Sequence, residues 1–224
     1  MGRVIILAME TATSACAVGL AGDFGVDVRV VNTERRHGEH LMPGVAALLA
    51  DHAVTAREVT RVVVDRGPGL FTGLRVGVAS ALAFAQASGA ELVAVTSLEM
   101  LAHAAHARGV RGDLVAVVDA RRHEVFAQAF NLEDGVRALD EAQVMTPVEL
   151  VERWRGCRVR FSGDGAARYR DLLEVVGGIE DETVPPLAAA LEIARERPPS
   201  HEVSPLYLRD ADAVANFTTR EARR

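Results

Sequence analysis

The chain has 224 residues, 49% of them hydrophobic and 25% charged, which is enough for one large domain or two small lobes around a buried core and too apolar for a disordered protein. Its net charge of −6 at pH 7 argues against autonomous binding to nucleic acid, which needs a basic face to neutralise phosphates. All 25 basic residues are arginines, so Schiff-base chemistry and a Walker-type phosphate loop, both of which need a lysine amine, are excluded.

The first apolar run, VIILAM, is short and leads into Glu10 with no small-residue cleavage site. It reads as a strand and not as a signal peptide, which predicts a cytoplasmic protein. Cys16 and Cys157 are too few for a disulfide framework and read as inert thiols. A tight turn over Thr11–Ser14 joins the first strand to CAVGLAG, and DVRVV follows as a third, giving an antiparallel meander. HLMPGVAALLADH then sets Leu41, Val45, Leu48 and Leu49 on one helical stripe, with Pro43 in the first turn. RVVVD is a buried strand, and DRGPGLFTGLRVG is a glycine-rich passage from strand to helix. From Thr72, read as the N-cap, this helix carries small residues at every fourth position: Gly73, Gly77, Ala81, Ala85 and Gly89. Such a row forms a groove that can admit a neighbouring helix. The segment is too short for a membrane span and contains an arginine. AELVAV is the next strand, and TSLEMLAHAAHARG is a helix capped by Thr96 or Ser97.

At Leu114 the chain begins again. LVAVVDARRHEVFAQAF repeats the pattern of VIILAMETATSACAVGL, with Asp119 in the place of Glu10. The repeat implies two related lobes, 1–108 and a smaller 109–204, each opening on a meander. The second contains the helix TPVELVERW, the strand and glycine turn CRVRFSGDGAARY, and the helix PPLAAALEIARER. Residues 205–224 form a tail free to pack back on the first lobe.

The two acidic turns suit a magnesium-bound nucleotide, with Thr11, Thr13 and Ser14 offering hydroxyls to phosphate and Asp119 facing a metal-bound water. Arg121, Arg122 and His123 crowd the second turn and argue against ATP hydrolysis. The favoured reading is a hairpin whose hydroxyls satisfy their own backbone, with weak adenine-nucleotide contact as the alternative. Gly163, Asp164 and Gly165 either flank an adenine pocket or form an ordinary turn. His37 with His40, and His103 with His106, lack the third ligand of a catalytic zinc and read as solvated helix faces. The glycine-rich passage reads as a packing device: Gly67 and Gly69 permit the turn, and Gly73 and Gly77 admit a neighbour. Leu41, Val45, Leu48 and Leu49 together with Gly73, Gly77, Ala81, Phe84 and Ala85 form the predicted interface with another polypeptide, a second copy of the chain when it is alone. Arg75 either pairs with an acid such as Asp65 or reaches solvent.

In order along the chain, ILAMETATSACAVGL, RRHGEHLMP, DRGPGLFTGLRVGVASALAFA, VTSLEMLA, VVDARRHEVFAQAF, SGDGAARY and PLYLRD resemble the bacterial TsaB (YeaZ) family. The likeness covers most of the chain, and GPG-x-FTGLR-x-G is its most specific motif. It implies an α/β protein of two actin-like (ASKHA / RNase H-like) lobes, mixed sheets flanked by helices, with the second lobe reduced. It also implies a non-catalytic accessory subunit in the formation of N6-threonylcarbamoyladenosine (t6A) at tRNA position 37, pairing through its first lobe with the catalytic TsaD and activating it. The ATPase TsaE joins them, and TsaC or a relative supplies threonylcarbamoyl-adenylate. ATP and magnesium then belong to the complex, this chain requires no cofactor, and tRNA is met only indirectly. The metal-binding histidines of TsaD align with Ser97 and Leu101, so no catalytic or metal-ligating residue is expected here. Two other readings stay open: a small-molecule kinase or ATPase of the actin-like superfamily, and a metal-dependent peptidase. ATP turnover or peptide cleavage by the lone chain separates them.

Overall fold

Along the first strand Ile5, Leu7 and Met9 point one way and Ile6 and Ala8 the other, and all five are buried. A strand apolar on both sides needs cover on both faces, and the computed structural model, which describes residues 3–32 and 36–209, supplies it. In chain order the elements of the first half are β1 (Ile6–Glu10), β2 (Cys16–Gly22), β3 (Gly25–Asn32), α1 (His37–Asp51), β4 (Arg61–Asp65), α2 (Phe71–Ser88), β5 (Glu91–Val95) and α3 (Ser97–Ala107). Those of the second are β6 (Asp113–Arg121), β7 (Glu124–Asn131), β8 (Arg137–Ala138), β9 (Gln143–Met145), α4 (Pro147–Trp154), β10 (Val159–Ser162), α5 (Asp164–Arg168), α6 (Arg170–Leu173), β11 (Gly178–Ile179) and α7 (Leu187–Glu196).

The first sheet has the order β3-β2-β1-β4-β5, the second β11-β10-β6-β7-β8 with β9 also on β7. In each, a central strand pairs antiparallel with the next strand and parallel with a later one, β1 with β2 and β4, β6 with β7 and β10. The repeat read from the sequence is therefore a repeat of topology, and the fold is actin-like. Its second copy is reduced to short outer strands.

α1 and α2 cover one face of the first sheet through Leu41, Val45, Leu48, Leu49, Val78, Ala81 and Ala85. The helices between and after the lobes are exchanged. Leu98, Leu101, Ala102 and Ala105 of α3 pack on Leu114, Ala116 and Phe126 of the second sheet. Leu187, Ala190, Leu191 and Ala194 of α7, which the sequence groups with 109–204, pack on Ile6, Ala8 and Val63 of the first. Each lobe is thus closed by a helix from the other half of the chain.

Local capping signals set the starts of two helices. Thr96 caps α3 by accepting from the Glu99 N–H, and Thr146 caps α4 in the same way through Glu149. Two expectations are corrected. α1 begins at His37, so Pro43 lies inside the helix, and α2 begins at Phe71 after Leu70, so Thr72 is a helical residue and not the cap. Among the described residues no helix is long and apolar enough to cross a membrane.

The glycines of α2 are explained by its own lobe. Thr11 Oγ1 donates to the Gly73 carbonyl at 2.8 Å, and Leu70 N–H donates to the Ala12 carbonyl at 2.7 Å. A Cβ at Gly69 would run into the Ala12 carbonyl, one at Gly73 into the Thr11 carbonyl, and one at Gly77 into Thr11 Oγ1. Glycine inside a helix costs roughly 1 kcal/mol relative to alanine, yet here alanine overlaps backbone that cannot give way. Gly73→Ala is therefore expected to destabilise the protein by about 2 kcal/mol or more, with Tm falling by roughly 5 °C or more in a thermal melt. An unchanged Tm would mean that the turn does not seat here.

Candidate functional site

The predicted interface residues lie on the inner side of α1 and α2. Leu41, Val45, Leu48, Leu49, Ala81 and Ala85 are core residues, Gly73 and Gly77 are buried under the β1–β2 turn, and Phe84 is half-buried against the same core. The reason is the close approach of Thr11 and Ala12, which draws the small-residue row inward. What faces solvent is the opposite side: Met42, Pro43, Ala46, Ala47 and Ala50 on α1, and Ala79, Leu82, Ala83, Gln86 and Ala87 on α2. Met42 is 40% and Leu82 43% exposed. Glu39 and Arg75 sit at the N-terminal ends of this surface, and the central part carries no charge. It is a smooth two-helix platform of small side chains, the kind of surface on which other helices pack closely.

A second feature, a cleft of about 590 Å³, opens between the lobes. The β1–β2 turn (Ala12–Ala15), the start of α2, the β6–β7 turn and Asp164 line it, together with residues 206–209. Thus Thr13, Ser14, Asp119 and Asp164 are brought together as the repeat predicts. Thr11, Gly163 and Gly165 are not in the cleft. Thr11 is fully buried beneath α2, and the two glycines let α5 approach β6 so closely that Cβ atoms would meet Val117 and Asp119 backbone.

The polar atoms of these turns are largely used internally. Glu10 is buried and accepts from the Thr13 N–H at 2.9 Å and from Thr13 Oγ1 at 3.2 Å. In the second lobe Arg121 N–H donates to Asp119 Oδ1 at 3.0 Å, and the Arg121 and Arg168 guanidiniums reach Asp119 Oδ2 at 3.0 and 3.4 Å. A carboxylate already flanked by two cations is a poor ligand for a divalent ion. Asp164 Oδ1 accepts from the Asp119 N–H at 2.9 Å, and burial raises its carboxyl above the usual range. Arg121, Arg122 and His123 all have positive φ, 65°, 54° and 63°, a left-handed run that non-glycine residues adopt at some cost.

Sequence reasoning missed two features. One is the full course of segment 206–209: the sequence lets the tail pack back on the first lobe, but does not show that it crosses the cleft mouth to the second. Leu206 N–H donates to the Arg66 carbonyl in the first lobe at 2.7 Å, Arg209 ion-pairs with Glu124 in the second, and Tyr207 lies against Phe71 with ring centroids 4.9 Å apart. Arg75 stacks on Phe71 at 3.9 Å and donates to Tyr207 Oη at 3.0 Å. It therefore neither meets Asp65 nor stands free. The signal was the SPLYLRD stretch, whose alternating apolar and polar residues follow a run of prolines. Residues 210–224 of the predicted tail lie outside the described residues.

The other is the buried pair Glu10 and Asp65, at the ends of neighbouring parallel strands. Asp65 accepts from Ser97 Oγ at 2.7 Å and from the Gly67 N–H at 2.8 Å, so it ties the α2 entry to the start of α3. Ser97, where the resemblance places a metal ligand of TsaD, is thereby taken up in structure, and Leu101 is a core residue. Among the described residues no group of three His, Cys, Asp or Glu side chains could hold a metal ion. His37 is buried with Nε2 3.4 Å from the Ser14 carbonyl, which corrects its reading as a solvated residue; His103 and His106 are half-buried. Burial and the Glu10 charge push the Cys16 thiol up to about 11, while Cys157 is exposed.

Burial, reinforced by the Asp65 charge, pushes Glu10 up to about 8, and burial pushes Asp65 up to about 7. Both carboxyls bind protons more tightly folded than unfolded, so their contribution to stability is complete below about pH 4 and is lost as the pH rises towards 8. The carboxylates held low by arginine or threonine partners, Asp23, Asp27, Glu58 and Glu149, act in the opposite sense and at lower pH. Relative to the parent, Glu10→Gln is expected to gain stability from pH 5 to pH 8, by up to ~1.4 kcal/mol per pH unit. Parallel melts at each pH check this, and a difference constant with pH would refute the assignment.

Two sheets of the same order facing a shared cleft, with helices exchanged between them, define an actin-like protein. A family model described as TsaD, tRNA N6-adenosine threonylcarbamoyltransferase, matches residues 30–212. The chain is 38% identical over 221 residues to an uncharacterized protein of Mycobacterium leprae (strain TN), covering 93% of this chain and 56% of that one; it spans little more than half of that relative's length. It is 27% identical over 239 residues to the tRNA threonylcarbamoyladenosine biosynthesis protein TsaB of Haemophilus influenzae (strain ATCC 51907 / DSM 11121 / KW20 / Rd), covering 99% of this chain and 100% of that one. A crystal structure from Pseudomonas aeruginosa, of a protein described as similar to the peptidase YeaZ, superposes with a TM-score of 0.78 at 26% identity, over 93% of this chain and 100% of that one. The chain belongs to the TsaB (YeaZ) family.

Proposed function

We propose that the chain serves t6A biosynthesis in the cytoplasm as a non-catalytic subunit, docking the outer face of α1 and α2 on the catalytic TsaD and holding it in its active form. Support comes from the name its H. influenzae relative carries and from the family model. The observation that carries the docking is the uncharged platform Met42, Ala46, Ala47, Ala79, Leu82 and Ala83, exposed along two adjacent helices. A four-helix contact with a similar helix pair would bury it; a second copy of this chain would occupy it when TsaD is absent. The non-catalytic role is supported by Asp119, whose carboxylate is held by Arg121 and Arg168. TsaE joins as the ATPase, ATP and magnesium belong to the assembly, any adenine nucleotide at Thr13, Ser14 and Asp164 binds weakly, and tRNA is reached through TsaD.

Ala79→Glu places a charge at the centre of the platform without touching the core. Mixed with TsaD, it is expected to weaken association by at least about 100-fold, roughly 3 kcal/mol, in isothermal titration calorimetry, while its Tm stays within about 2 °C of the parent. t6A formation by the reconstituted proteins should fall in parallel. Undiminished binding by Ala79→Glu, or brisk ATP turnover by the lone chain, would remove the proposal.

A further inference from the structure

Arg66 follows the last residue of β4, and its backbone is held on both sides. Its N–H donates to the Val95 carbonyl at 2.9 Å, and its carbonyl accepts from the Leu206 N–H at 2.7 Å. Side chains alternate along an extended chain. Where Asp65 turns in to Ser97, Arg66 turns into a second cavity between the lobes, of about 680 Å³. Its Nε is buried, and no described residue accepts a hydrogen bond from it. The neighbouring arginines are matched: Arg61 pairs with Glu91, and Arg197 with Glu99. A buried guanidinium nitrogen left unmatched costs free energy, and a strand end pinned this firmly keeps it where a ligand can match it.

The rest of the cavity says which ligand. Leu206, Leu208, Ala94 and Ala142 give it apolar walls, while Glu141 and Glu202 are exposed at its rim. These two acids form no ion pair among the described residues. With Arg197 neutralised by Glu99, one cation and two anions remain. Two acids against one arginine repel a phosphate or a nucleotide. A molecule with a carboxylate at one end and an ammonium at the other satisfies both signs, because a carboxylate meets the guanidinium fork through two parallel hydrogen bonds and the ammonium meets the rim. The volume is that of a small-molecule site.

We propose that this cavity binds a short apolar peptide with free ends, its terminal carboxylate on Arg66 and its terminal ammonium at Glu141 and Glu202. The site uses none of the α1–α2 platform residues, so it stands whether or not that platform meets TsaD.

Isothermal titration calorimetry of the full chain with the dipeptide leucylleucine tests it. Saturable binding to one site is expected. Arg66→Gln should weaken it at least about tenfold while its Tm stays within about 2 °C of the parent, since the replaced group has no described partner to lose. N-acetyl-leucylleucine and leucylleucine amide, each lacking one end charge, should both bind at least about tenfold more weakly than leucylleucine. Glu141→Gln combined with Glu202→Gln should weaken leucylleucine without weakening the acetylated form. In the nitrogen-15 spectrum the Nε–H resonance of Arg66, identified by its loss in Arg66→Gln, should shift as leucylleucine is added. Absence of binding, equal binding by Arg66→Gln, or pyrophosphate binding more tightly than leucylleucine would overturn the proposal.

Discussion

The structure depends on how closely the turn after β1 sits on the entry and first two turns of α2. Thr11 and Ala12 occupy space that side chains at Gly69, Gly73 and Gly77 would fill, and the Thr11 hydroxyl is spent on the Gly73 carbonyl. That seating fixes the rotation of α2. With its glycine and alanine row turned in, its other small-residue face, Ala79, Ala83 and Ala87, must turn out. α1 follows, because its stripe Leu41, Val45 and Leu48 has to share the remaining surface of the sheet with α2.

The same seating shapes the electrostatics. By bringing the ends of β1 and β4 under the two turns it strips water from Glu10 and Asp65, so both carboxyls are held towards their neutral forms and serve as structural hydrogen-bonding groups. The cleft above them retains the two-lobed geometry of an actin-like protein, but its first-lobe turn is tied down by Glu10 and its second-lobe carboxylate is claimed by arginines. Residues 206–209 then bridge the mouth from Arg66 to Glu124.

Much of this was legible in the sequence, and the part that was not has a definite cause. The repeated meander, the strand-helix alternation and the Thr96 cap are local signals. The motifs in their order pointed to the family. The direction of α2 was not readable, because this helix carries small residues on opposite sides: a four-residue period identifies a face without saying which way it points. Only the non-local contact with Thr11 and Ala12 decides. The exchange of α3 and α7 between lobes is equally non-local, and the cleft-bridging role of Tyr207 and Arg209 depends on partners far away in sequence. β3 was legible as a strand, but the exposure of Val26, Val28 and Val30 followed from where α7 ends.

The central claim is that the outer and not the inner face of α1 and α2 meets a partner protein. Cross-saturation transfer between TsaD and methyl-labelled chain measures it directly. The account predicts attenuation at the methyl groups of Met42, Ala79, Leu82 and Ala83 with none at Ala81 and Ala85. Attenuation confined to residues lining the cleft, such as Leu206 and Leu208, with the helix methyls untouched, would contradict it.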